Sequence, residues 1–232
     1  MPRRQPGGFY TDPWDFDAPR ETLADLEPDE ALVQYRRLIP GPRVLDLGMG
    51  DGDHALWLAS LGYEVEGVDL HQRRLGQAEI RAMRLKLSLQ TYLGDITEFP
   101  IPPASYDLIL LAAVLHFLRP SDHRRVAEQV TRGLRPGGLV YATALTTDDP
   151  GYALVRQAGL PELEPNTFDL SDDDSLELLH FFPPGALRDL FAGLEVIHYA
   201  EERYLRSDSA QGYNAAAVLL ARRPKAGQTG PT

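Results

Sequence analysis

Apolar runs of strand length alternate with helical-period segments along most of this chain. The first run, Arg43-Val44-Leu45-Asp46-Leu47, ends in an acid and breaks into glycines at alternate positions, Gly48, Gly50 and Gly52. It reads as a buried strand feeding a tight turn that brings backbone N–H groups to a ligand. The pattern predicts a helix over 54–61, stopped by Gly62, and a second strand over 64–69 that closes on Asp69. Over 75–86, Leu75, Ala78, Ala82 and Leu85 share one helical face, while Arg74, Arg81 and Arg84 take the other and read as solvated. A third strand is expected over 87–93, leading into Gly94-Asp95-Ile96. Residues 106–113 are nearly all apolar, as expected of a central parallel strand covered on both faces. Arg119-Pro120 breaks the chain, Ser121 is a possible cap, and a helix over 122–133 precedes a Pro136-Gly137-Gly138 turn and a fifth strand. A helix ending at Gly193, a strand after it and a last strand over 214–222 complete the pattern.

The strand–turn–helix–strand unit from Arg43 to Asp69 is a nucleoside-binding arrangement, because a carboxylate at the end of the second strand can accept both ribose hydroxyls. The glycine spacing decides which nucleoside. A dinucleotide fingerprint needs Gly-x-Gly-x-x-Gly, and here Asp53 stands at the third glycine position. A carboxylate at Asp51 or Asp53 beside a pyrophosphate adds repulsion, whereas a cofactor without phosphate removes the conflict.

Composition bounds the remaining choices. With 232 residues and 43% apolar content the chain suits a single packed domain. A formal charge of −11 argues against a protein that tracks a nucleic-acid backbone. The absence of cysteine removes disulfides, thiolate metal sites and a cysteine nucleophile, and no metal is expected. No apolar leader follows Met1-Pro2-Arg3-Arg4 and the run over 108–118 is too short to span a bilayer, so a cytoplasmic protein without membrane contact is expected. The tails 1–8 and 224–232, rich in Pro, Gly and charge, are expected to be disordered around a domain over 9–223.

Asp46-Leu47-Gly48-x-Gly50-x-Gly52, Asp69 closing the next strand, a Tyr106-Asp107-x-Ile109 strand and Leu134-x-Pro136-Gly137-Gly138 together resemble the class I S-adenosylmethionine-dependent methyltransferases. The resemblance implies a Rossmann-like, doubly wound α/β sheet of seven strands, mostly parallel with an antiparallel C-terminal strand. It implies S-adenosyl-L-methionine as cofactor, S-adenosyl-L-homocysteine as product and a small-molecule acceptor. In such enzymes Asp95 and Ile96 would contact the adenine, with Leu70 and His71 beside it. Ala112 would offer a backbone contact. Asp46 would bind the cofactor amino group through water or brace the loop. At a finer level, Phe9-Tyr10-Thr11-Asp12, the helix at Gly185-Ala186-Leu187-Arg188, Glu201-Glu202 and Leu219-Leu220-Ala221-Arg222 resemble the tellurite-resistance methyltransferase family. That family's substrate-side His-Arg pair is replaced here by Leu205-Arg206, so only Arg206 carries over.

Candidates on the acceptor side are therefore His116, just past the fourth strand on the ligand edge; Arg206; and Tyr10, able to cover the methyl group or merely to anchor the N-terminal segment with Trp14. His180, between Leu178-Leu179 and Phe181-Phe182, is a second choice for a base and could equally be a core residue. Catalysis by in-line displacement needs no base in principle. The segment 146–183 holds nine acids against Arg156, a net −8 of the total −11. It is either a solvated loop or a lid in which Tyr152, Phe168, Phe181 and Phe182 contact the acceptor and the acids favour a neutral or cationic one. Two other functions remain compatible with parts of the pattern: a catalytically idle S-adenosylmethionine-binding module, and a nicotinamide-dependent oxidoreductase. A nucleic-acid methyltransferase is disfavoured by Ala112-Ala113-Val114-Leu115, where an Asn/Asp-Pro-Pro-aromatic tetrad would stand.

Overall fold

Parallel strands joined by helices must bury both sheet faces, and β1 (Arg43–Leu47) and β4 (Tyr106–Ala112) show how. Val44, Leu108 and Leu110 point to one side, where they meet Leu32, Ala55, Leu58, Leu75 and Ala78. Leu45, Leu47, Ile109 and Leu111 point to the other, against Val126, Val130 and Leu187. The computed structural model describes residues 22–170, 178–205 and 213–225. The helices on the first face are α1 (Glu30–Tyr35), α2 (Asp53–Ser60) and α3 (Gln72–Leu85); α4 (Pro120–Gly133) and α6 (Ala186–Leu190) cover the second. With β2 (Glu64–Asp69), β3 (Gln90–Leu93), β5 (Leu134–Leu145), β9 (Glu195–Leu205) and β10 (Tyr213–Arg222), the seven-stranded sheet runs β3-β2-β1-β4-β5-β10-β9. Only β10 runs against its neighbours. The order reverses between β1 and β4, and the carboxyl ends of those strands are where an open α/β sheet binds ligands.

Four local expectations need correction. The third strand begins at Gln90, because Leu87 and Leu89 turn inward against Ala82 and Leu56 instead of joining the sheet. Ser121 does not cap α4: Pro120 occupies the first helical turn, where its missing N–H costs nothing, and Arg119 takes the capping position. Arg81 is not solvated, since its guanidinium donates to Asp51 O at 2.7 Å and pairs with Asp53. The fifth strand extends over 134–145, absorbing the Pro136-Gly137-Gly138 turn through a register shift against β4.

The acidic segment folds. α5 (Pro150–Gln157) is followed by a three-stranded antiparallel sheet of β6 (Glu162–Glu164), β7 (Thr167–Asp169) and β8 (Leu178–His180). It is stitched to the carboxyl end of β5 by Phe182 N–H to Leu145 O at 2.8 Å and Thr147 N–H to Phe182 O at 3.1 Å. Phe168 and Phe181 are buried and pack edge-on against Tyr152, and Phe182 joins the main core, so these rings hold the segment down rather than face a ligand. Several acids have structural partners. Asp149 accepts from Gly151 N–H at 2.8 Å and Ala215 N–H at 2.7 Å, Glu162 from Asn166 N–H at 2.8 Å, and Asp148 holds Arg203 through two contacts of 2.6 Å. Asp172, Asp173, Asp174, Glu177 and the tails 1–8 and 226–232 lie outside the described residues.

Met49, at the middle of the glycine turn, packs over β2 at Gly67, where a Cβ would stand 2.0 Å from its sulfur. Gly67→Ala should therefore displace Met49 and lower stability by about 1–3 kcal/mol, the range for an overpacked core. Urea unfolding will check it, and the double variant Gly67→Ala/Met49→Ala should recover part of the loss.

Candidate functional site

The turn between β1 and α2 is possible only with left-handed backbone, φ being +74°, +59° and +90° at Gly48, Gly50 and Gly52. A side chain at Gly48 would strike Val114, with the nearest approach at 2.3 Å. At Gly50 only Arg74 Nη1 stands within 4 Å, at 3.7 Å, so the space over this residue is open among the described residues. Asp69 closes the turn: Oδ2 accepts from Gly50 N–H at 2.8 Å and Oδ1 from His71 N–H at 2.8 Å. Each oxygen keeps a further lone pair, so two hydroxyl donors can still be accepted.

Asp46 is 2% exposed on β1, and its Oδ2 has no hydrogen-bond partner among the described residues. Burial, with the nearby Asp69 and Asp29 carboxylates, pushes its pKa up to about 6 against the opposing pull of His54. An acceptor oxygen in that condition fits a positively charged, proton-donating ligand group. Asp95 lies exposed past β3 and accepts Thr97 N–H at 2.8 Å, forming an Asx turn, while Ile96 is buried beneath it. Leu70 is 63% exposed at the rim, Ala112 half-buried at the end of β4, and His71 exposed. Gly48, Gly50, Gly52, Asp46, Asp69, Leu70, Asp95, Ile96 and Ala112 thus fall on the carboxyl ends of β1–β4 or in the loops that follow them.

On the α4 side, His116 is 5% exposed, in the short turn after β4. Its Nδ1 accepts a long bond from Leu145 N–H at 3.4 Å, which leaves the ring proton on Nε2. Burial, with the fields of His180 and His123, pulls its pKa down to about 3, which keeps the ring neutral and makes it a weaker base than its place in the chain suggests. His180 is also buried and bonded, Nδ1 to Thr167 Oγ1 at 2.8 Å, and burial with the field of His123 lowers its pKa to about 4. His123 anchors the turn that carries His116 through Nε2 to Leu115 O at 2.9 Å and stacks on Phe182. Arg206 and Tyr10 lie outside the described residues.

Among the described residues, hollows flank the sheet at both ends of its strands. One of about 460 Å³, lined by Arg36, Arg37, Pro42 and Tyr63, sits at the amino ends of β1 and β2, away from the glycine turn. The other, about 350 Å³, lies at the carboxyl end of β5 among Thr146, Thr147, Asp148, Glu201, Glu202 and Ala215. Among the described residues no His/Cys/Asp/Glu group could hold a metal ion, and no helix is long and apolar enough to cross a membrane.

Residues 44–138 match the model of a methyltransferase domain family. The match spans 95 of the 232 residues, from β1 into β5. Among curated relatives, a ubiquinone biosynthesis O-methyltransferase of Burkholderia pseudomallei is 31% identical over 144 residues, covering 61% of each chain. The chain thus spans about three-fifths of the length of that relative. A methyltransferase structure from Methanosarcina mazei superposes with a TM-score of 0.70 at 20% identity, over 86% of this chain and all (100%) of that one. TehB from Haemophilus influenzae gives 0.66 at 21% identity, over 84% of this chain and 62% of that one. At these identities the two structures establish the fold.

The domain also contains residues that sequence reasoning passed over. His54, on the first turn of α2, lies with Nε2 at 3.3 Å from Asp29 Oδ2, and Tyr141 OH donates to the same oxygen at 2.8 Å. The sequence signals were an isolated histidine at the head of the helix after the glycine turn, and an acid directly before α1; neither has meaning until β5 brings Tyr141 between them.

The neutral histidines set a pH dependence for stability. Their folded pKa values lie below the unfolded 6.5, so between pH 6.5 and about 4 the unfolded chain binds more protons, and stability falls as pH falls. Urea midpoints should drop from pH 7 to pH 5, each histidine contributing up to about 1.4 kcal/mol per pH unit. His116→Gln should flatten the slope; an unchanged slope would contradict the assignment of His116 as buried and neutral.

Proposed function

We propose that this chain binds S-adenosylmethionine at the carboxyl ends of β1–β4 and transfers its methyl group to a small-molecule acceptor. The observation that carries the reading is Asp46 Oδ2, a buried carboxylate oxygen lacking a partner beside a glycine turn already organised by Asp69. The residues present suit the cofactor. Asp69 offers its remaining lone pairs to the ribose hydroxyls, Gly48 to Gly52 present backbone to the amino-acid portion, and Asp46 accepts from its ammonium. Asp95, Ile96 and Leu70 border the adenine position, with Ala112 supplying backbone. Once bound, the sulfonium compound supplies an activated methyl group for in-line displacement.

Protein groups then need to hold the acceptor behind the methyl and keep water out. His116, as a neutral Nε2–H donor, orients an acceptor oxygen that has already given up its proton to water. Tyr10 and Arg206 are assigned to the acceptor side. The name of the Burkholderia relative favours an oxygen nucleophile, and the hollow rimmed by Asp148, Glu201 and Glu202 disfavours an oxyanion such as tellurite. Nicotinamide binding is disfavoured because Asp51 and Asp53, against Arg81, leave the turn net negative where a pyrophosphate would lie.

Titration calorimetry with S-adenosylhomocysteine tests the donor half. Asp69→Asn should weaken binding by about 10-fold or more, the order expected when a charge-assisted hydrogen bond is lost; unchanged affinity would remove Asp69 from the site. Profiling with radiolabelled S-adenosylmethionine tests the other half: phenols and amines should be methylated faster than tellurite or selenite. Tight S-adenosylhomocysteine binding with no acceptor found would favour the idle-module reading.

A further inference from the structure

The chain leaves β4 in a conformation that its own residue does not favour. Ala113, directly after the strand, has φ +52°, a left-handed backbone that crowds a Cβ and is most readily taken by glycine or asparagine. Among the described residues three other non-glycine positions share it: Lys86 caps α3, and Ala104 and Asn166 lie in turns. Such a backbone persists only where the surrounding contacts over-determine it. At Ala113 those contacts come from one residue of β5. The Ala113 N–H is shared between Thr143 O at 3.2 Å and Thr143 Oγ1 at 2.9 Å, which carries the pairing one step past the Ala112–Thr143 partners. Thr143 is buried, and its branched Cβ restricts the side chain, so the hydroxyl oxygen is held at the strand end.

The bend decides where the next side chain goes. Val114 packs against the glycine turn from the β4 side, its Cγ2 only 2.3 Å from where a Cβ on Gly48 would stand. On its other side the turn is held by β2, through Gly48 N–H to Val68 O at 2.8 Å and Gly50 N–H to Asp69 Oδ2 at 2.8 Å. Beyond Val114, the short turn Leu115–Phe117 is anchored at its far side, by Leu145 N–H to His116 Nδ1 and by His123 Nε2 to Leu115 O at 2.9 Å. Thr143 is the anchor at its start. The carboxyl ends of β5, β4 and β1 are thus linked in sequence, Thr143 to Ala113 and Val114 to Gly48.

From this arrangement we infer that Thr143 is a positioning residue for the amino-acid end of the donor: by holding Ala113 left-handed it keeps Val114 against Gly48 and fixes the β4-side wall of the glycine turn. The inference rests on the reading that this turn takes S-adenosylmethionine. On that reading the ribose and adenine lie over β2 and β3, at Asp69 and Asp95, while the amino-acid portion lies along Gly48 beside Asp46. The two ends of the donor should therefore respond differently to loss of the Thr143 hydroxyl. Valine has the shape of threonine but no acceptor, and leaves the Ala113 N–H with the longer main-chain contact alone; serine keeps the oxygen.

The test is calorimetric binding of S-adenosylhomocysteine to the full chain, with 5′-methylthioadenosine, which lacks the amino-acid end, as the second probe, and amide hydrogen exchange at Ala113 in the free protein. Thr143→Val should speed that exchange by about 2- to 10-fold, the range for one lost hydrogen bond. It should weaken S-adenosylhomocysteine by a similar factor, because affinity scales with the fraction of molecules holding the competent turn, and leave 5′-methylthioadenosine within about 2-fold of wild type. Thr143→Ser should restore both the exchange rate and the affinity. Val114→Ala should weaken S-adenosylhomocysteine with the same selectivity while Ala113 exchanges as in wild type, and it decides the matter if Thr143→Val does not fold. The inference is overturned, with the donor reading intact, if the two substitutions weaken both probes alike, if neither weakens S-adenosylhomocysteine, or if Thr143→Ser behaves as Thr143→Val. If wild type binds neither probe, the donor reading itself has failed and this inference with it.

Discussion

The site depends on how two buried carboxylates on adjacent strands are kept in the fold. Asp46 and Asp69 end β1 and β2, 2% and 5% exposed, and a buried carboxylate is costly unless something answers its charge. Asp69 is answered by direct bonds, one N–H from the glycine turn and one from the residue after next. Those bonds draw Gly50 over the end of β2, which forces the left-handed backbone and puts the head of α2 above the switch in strand order. Asp46 Oδ2 has no hydrogen-bond partner among the described residues. One carboxylate therefore shapes the turn, and the other keeps an oxygen free.

The path of the chain was readable because its signals are local. The acid–glycine–helix–acid succession from Asp46 to Asp69 sets strand, turn and helix within one βαβ unit, and the run at 106–112 identifies the central strand by its lack of alternation. What stayed hidden depends on long-range register. Asp29 and Tyr141 are 112 positions apart and meet only because β5 pairs with β4 in one alignment. Tyr141 reads as one more apolar strand residue, and His54 as one more polar residue on a helix. His116 shows the converse: its place after β4 was evident, but its protonation depends on burial first and then on His180 and His123, contributed by β8 and α4. Proximity to a ligand edge identifies a residue; its surroundings decide its chemistry.

The acidic segment shows why composition is a poor guide to an individual side chain. Nine acids in one stretch suggest a solvated loop, because unpaired like charges repel in water. Here the spacing of Phe168, Phe181 and Phe182 supplies a small apolar seam, and individual acids cap a helix, bind a strand's N–H or fork onto Arg203. Asp149 is turned inward to Ala215 and Asp148 to Arg203, and the neighbouring hollow is lined by Asp148 from this segment together with Glu201 and Glu202 on β9. Of the segment's nine acids Asp148 lines the recess, so the charge there comes only in part from the segment's excess.

The two sides of the site consequently differ in how freely they can change. On the proposed reading Asp69 has two tasks, holding the turn and receiving the ribose, so a substitution there disturbs geometry and binding together. At the acceptor edge the tasks are separable. The β6–β8 sheet is attached to the core through Phe182, Thr147 and the histidine contacts, and its antiparallel strands pair with one another rather than with the main sheet. Its residues can vary without moving β1 or β2, because among the described residues no ladder bond connects them. A shared donor geometry joined to an appended wall of this kind lets one fold serve many acceptors. It also explains why the residues around Gly50 identify the donor while the acceptor has to be sought in side chains that local pattern does not mark.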